Sequence, residues 1–130
     1  MKLTVAAQAP MVVHALSAQL SASKLRFAGP TSHGDRTSVV IDLPPGSGIE
    51  GDVPLLGRIK LGCGLDGAVE LTVSPTVAAL ARARLPVRSQ RFEGSVIQGL
   101  QVVFTLDMRE GLETEIPLPA IGSIWCTVAA

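Results

Sequence analysis

With 130 residues, 47% of them hydrophobic and 17% charged, the chain is long enough for one domain, 1–130, and apolar enough to bury a core. Eleven basic residues balance eleven acidic ones, which argues against the basic surplus of a nucleic-acid binder. With no Tyr, three Phe and one Trp, platforms for stacking bases are nearly absent.

A neutral, weakly charged and apolar chain tends to associate, so a homo-oligomer or a protein partner is expected. No run approaches the roughly 18 apolar residues of a membrane-spanning helix. Lys2 and the apolar stretch after it have the outline of a leader. Gln8, Pro10 and His14 interrupt it, so the expected location is the cytoplasm.

Leu3, Val5, Ala7 and Ala9 share one strand register, which predicts a first strand over 2–8. Pro10 suits the first position of a helix, and Val13, Leu16 and Leu20 extend it over about 10–22. Its N-cap is poor, because Ala9 has no side-chain acceptor. Residues 24–28 read as a short strand, followed by turn chemistry at Gly29-Pro30 and at Ser32 to Asp35. Thr37 to Leu43 is a strand, and Pro44 to Asp52, PPGSGIEGD, reads as an exposed loop. Val53 to Leu56 is a possible early start of the next strand.

Arg58 to Ser74 is the clearest stretch of the chain. Ile59, Leu61 and Cys63 alternate with Arg58, Lys60 and Gly62, and Val69, Leu71 and Val73 alternate with Ala68, Glu70 and Thr72. A period of two gives this hairpin one apolar face, which needs a cover. Ser74-Pro75 then caps a short helix over about 75–84, stopped by Pro86. Residues 92–108 return to strand, with Leu100, Val102, Phe104, Leu106 and Met108 in one register. After a turn at Arg109-Glu110-Gly111, residues 112–118 form a strand whose Pro117 and Pro119 mark an edge. Ser123 to Val128 is the last strand. Strands in hairpins predict an α+β fold: an antiparallel sheet of about six to seven strands curled against the N-terminal helix, with one further short helix.

Motifs for chemistry are weak. Residues 62–67, GCGLDG, match G-x-G-x-x-G, but a strand follows where a dinucleotide site needs a helix, so a hairpin turn explains the glycines better. His14, His33, Cys63 and Cys126 show no ligand spacing, and the sequence calls for no metal or cofactor. Two widely separated cysteines in apolar registers read as buried, reduced thiols. Arg82, Arg84, Arg88 and Arg91 form a basic cluster: an anion patch, a partner contact or simply a solvated face. Asp107, Glu110, Glu113 and Glu115 are its acidic counterpart, and the two clusters could meet within one subunit or across an interface. No catalytic residue is assigned, and His14 is the one obvious general base if an enzyme is nonetheless considered.

The opening LTVAAQAPMVVHALSAQL, with Ala9-Pro10 leading into Val12 to Leu16, resembles the start of START-like helix-grip proteins, the polyketide-cyclase and lipid-transfer superfamily. Glycine turns near FEGSVIQG (92–99) and REGL (109–112) are compatible with its strand order. The resemblance implies an apolar cavity between sheet and helix. The chain departs from it by ending in a strand, SIWCTVAA, where that fold has a long closing helix.

Two functions follow. One is a non-enzymatic module holding an apolar small molecule or lipid in a groove lined by Leu61, Leu71, Val102, Phe104 and Leu106. The other is a structural or assembly protein whose apolar sheet face is buried between subunits.

Overall fold

The alternating apolar pattern at the N-terminus puts Leu3, Val5 and Ala7 of the first strand on one face. The computed structural model describes residues 1–53, 56–95, 97, 99–108, 111–118 and 122–129. Strand β1 (Lys2–Ala7) lies in the middle of a five-stranded antiparallel sheet. On one side it pairs with β3 (Arg36–Asp42), and beyond that lies β2 (Phe27–His33). On the other side it pairs with β10 (Gly122–Ala129), followed by β9 (Glu113–Leu118). In this register Leu3 stands between Ile41 and Val128, and Val5 between Val39 and Cys126, which makes one face continuously apolar.

The second sheet holds β4 (Gly48–Val53), β5 (Gly57–Cys63), β6 (Val69–Val73), β8 (Gly99–Leu106) and β7 (Val87–Ser95), in that order and all antiparallel. Leu61 pairs with Leu71, which pairs with Phe104, and Cys63 with Val69, which pairs with Leu106. The apolar faces of the two sheets form one core, in which Leu3, Leu20, Ile41, Leu43 and Phe104 are fully buried.

Helix α1 (Pro10–Ala22) runs as its spacing predicts and has no side-chain cap at Ala9. It packs on β4 of the second sheet and on β1, β2 and β3 of the first, so tertiary contact holds it. Helix α2 (Pro75–Ala81) is capped by the Ser74 hydroxyl, which accepts from the Val77 amide at 3.3 Å. It stops at Ala81, three residues short of expectation, and bridges β9 to β8.

The predicted single curled sheet is wrong: among the described residues ten strands form two five-stranded sheets. The reason is cover. Helix α1 buries only Val12, Val13, Ser17 and Leu20, too little to shield a sheet, and a second sheet does the work. Much of the extra sheet comes from segments read as loop or turn. Within Pro44–Asp52 only the first residues turn, and Gly48 onward is β4; residues 29–33 extend β2. The single strand expected over 92–108 is instead the hairpin β7–β8. Arg109, Glu110 and Pro119, and the middle of the 53–56 segment, lie outside the described residues.

Candidate functional site

Between the two sheets lies a cavity of about 110 Å³. Leu3, Val5, Ile124 and Cys126 wall it from the first sheet, and Leu61, Leu71 and Leu106 from the second. Val12 and Leu16 of α1 and Val77 and Ala81 of α2 close its flanks. Among the twenty described residues of its wall, Thr114 is the one with a polar side chain, apart from the Cys126 thiol.

Its position explains an oddity of burial. Leu61, Leu71, Ile124 and Cys126 point inward from interior strands, yet each is only half-buried. Their remaining free surface opens onto the cavity. A core at native packing density leaves few voids large enough for water, so this interior is underfilled. The chemistry of the wall sets its contents. An apolar void stays dry and takes apolar guests, as a designed cavity of about 150 Å³ takes benzene.

Cys126 reports the same environment electrically. Burial pushes its thiol up to about 12, from an ordinary value near 9. It is a neutral thiol on the cavity wall at physiological pH. Cys63 is buried, and both cysteines are free thiols.

Of the groove residues expected from sequence, Leu61, Leu71 and Leu106 line the cavity. Val102 and Phe104 share their face but are packed into the core beside it, 3% and 0% exposed. The groove lies between two sheets, and the helices close its flanks. The first-sheet wall, Ile124 and Cys126 above all, was not named from sequence. Its signal was there in the shared register of Ile124, Cys126 and Val128, but nothing local says which sheet faces which.

The four arginines do not gather into one site. Arg82 ends α2, Arg84 follows it, and Arg88 sits where the β7–β8 register shifts. Arg91 lies on the outer face of the second sheet and donates to Glu70 at 3.0 Å and to Glu93 at 3.3 Å. The Glu70 hydrogen bond and both carboxylate charges raise its pKa further. In the acidic set, Glu113 pairs with Arg36 at 3.2 Å and Glu115 accepts from the Ser123 hydroxyl at 2.7 Å. Glu110 lies outside the described residues.

GCGLDG closes the β5–β6 hairpin, with Gly67 at φ 85° and the Gly64 amide donating to the Ala68 carbonyl at 2.7 Å. The Arg36 guanidinium lies 3.5 Å from the ring centre of Trp125 and covers it on the outer face of the first sheet. A polar groove on the outer face of the second sheet is larger than the cavity, and Gly48 and Gly62 pair across it. Glu70, Arg91 and Glu93 at its rim satisfy one another, as do Glu50 and Arg58. His14 is exposed and does not line the cavity. Among the described residues no three His, Cys, Asp or Glu side chains are placed to hold a metal ion.

No known family, no curated protein and no solved structure matches the chain.

Proposed function

We propose that the chain is a non-enzymatic binding module that takes a small apolar molecule, or the end of an apolar chain, between its two sheets. The observation that carries this reading is the underfilled cavity, with one hydroxyl and one neutral thiol among its twenty described wall residues. Among the described wall residues none is an acid or base that could move a proton. Cys126 is held as the unreactive thiol. At about 110 Å³ the space suits a ring or a few methylenes, below the roughly 300 Å³ at which pockets for larger ligands begin.

Titration with benzene or a short alkane, followed by methyl NMR, tests it. Leu61, Leu71 and Ile124 methyls should shift saturably, and Ala81→Leu, which fills the cavity from α2, should abolish the shifts. Unperturbed methyls at saturating probe, or equal shifts in the filled variant, would refute it.

The second reading is an assembly protein. The two apolar sheet faces pack on each other, which favours an edge over a face as its contact. The observation in its favour is the hairpin β7–β8, whose β7 residues from Arg88 to Ser95 are all exposed.

A further inference from the structure

Four strands edge the two sheets, and three of those edges are blocked. β2 carries Pro30 and a register shift between Ala28 and Thr31. β9 carries Pro117 and lies against α2. β4 lies against α1. Prolines, bulges and covering helices are the usual ways to stop an edge from pairing with another chain. Among the described residues β7 has none of these after its register shift at Arg88: Ser89 to Ser95 contains no proline, and the strand it pairs with is β8.

We propose that β7 is the self-association edge of this protein, and that its occupant is the β7 strand of a second copy, antiparallel about a two-fold axis at Phe92. This gives the assembly reading its partner and does not depend on the cavity.

The register follows from charge. In an isologous antiparallel pair each residue meets the one equally far across the axis. With the axis at Phe92, Arg91 of each copy stands opposite Glu93 of the other, and two opposite-charge pairs form. Centring on Arg91 would set arginine against arginine, and centring on Glu93 would set glutamate against glutamate. Arg91 already bonds Glu93 within one chain, in an exposed pair of little net strength, so exchanging it for the other copy's Glu93 costs little.

The opposite face supplies apolar area. Phe92 pairs with Val102, and Gly94 with Leu100, on the face away from Arg91 and Glu93. Phe92 is 60% exposed, Leu100 38% and Ile97, at the hairpin tip, 97%. The proposed register sets the two Phe92 rings side by side. The ladder is short because Gly94 turns at φ 83°, so these side chains provide much of the contact.

Sedimentation equilibrium on the full chain tests this, using Arg91→Glu, Glu93→Arg and their equimolar mixture. Circular dichroism first establishes that each variant is folded. The wild type should self-associate. Each variant alone sets like charges opposite each other twice and should dimerise about tenfold more weakly or worse. The mixture should form a heterodimer, because both charge pairs become attractive again. A wild type that stays monomeric to millimolar concentration, variants that dimerise as the wild type does, or a mixture with no heterodimer would each overturn the proposal. Probe-induced shifts of Leu61 and Ile124 methyls report the cavity separately, so the two readings fail independently.

Discussion

At the scale of single residues, Cys126 joins the cavity to the pH dependence of folding. Its thiol is raised in the folded chain, to about 12, because the thiolate would sit in an apolar space. In the unfolded chain the same thiol ionises near pH 9. Between about pH 9 and 12 the unfolded state therefore gives up a proton that the folded state keeps. This contribution to stability is complete below pH 9 and is lost as pH rises toward 12. At about 1.4 kcal/mol per pH unit, going from pH 9 to 10.5 should cost roughly 2 kcal/mol through this group alone. Other groups titrate there too, so the difference between two proteins is the observable. Urea unfolding at pH 8 and pH 10.5 should show Cys126→Ala losing less stability than the wild type, by about that amount. Equal losses would mean that water reaches Cys126 and that the void is wet.

At the scale of elements, α2 is the weak member beside the cavity. It has seven residues, too few to be helical without tertiary contact, and it buries only Ala78 and Ala81. Its Ser74 cap therefore counts. Ser74→Ala removes the acceptor of the Val77 amide and should cost about 1 kcal/mol by denaturant unfolding. A change under a few tenths would mean that packing alone sets this end of the helix. Elements of this kind were legible in the sequence because their signals are local. Pro10 and the 3.6-residue spacing mark α1, and strict alternation marks β5 and β6. β4 was hidden because glycine weakens a strand by propensity, while here its missing side chain leaves room for close neighbours. A β-carbon on Gly51 would run into the Gln19 side chain of α1, and Gly48 faces Gly62 across the ladder with little room for one. Of the glycines that made PPGSGIEGD read as a loop, Gly51 lies against helix α1 and Gly48 against β5.

At the scale of the whole molecule, pairing over long sequence distance decides the architecture. Thr4 pairs with Thr127, and β9, which follows the second sheet in sequence, joins the first. A period of two says which face of each strand is apolar but not which sheet receives it. Leu61 and Leu71 were therefore recognisable as inward residues, whereas the wall opposite them, Ile124 and Cys126, was not. The same architecture leaves the core short of side chains, and that has an energetic consequence. Residual cavities in cores cost about 24 cal/mol per Å³, so a void of about 110 Å³ corresponds to roughly 2–3 kcal/mol of forgone stability. That is a sizeable share of the ~5–15 kcal/mol that holds a domain together. If the void is a packing defect, filling it is pure gain. If it is a binding site, filling it trades function for stability. Ala81→Leu should raise thermal stability, by up to about 2 kcal/mol if the added carbons meet no strain, and in the same protein the stabilisation by benzene should disappear. Calorimetric scans of both proteins with and without benzene read both effects at once. Stabilisation by the substitution together with an unchanged benzene effect would place the probe elsewhere and remove the cavity from the functional account.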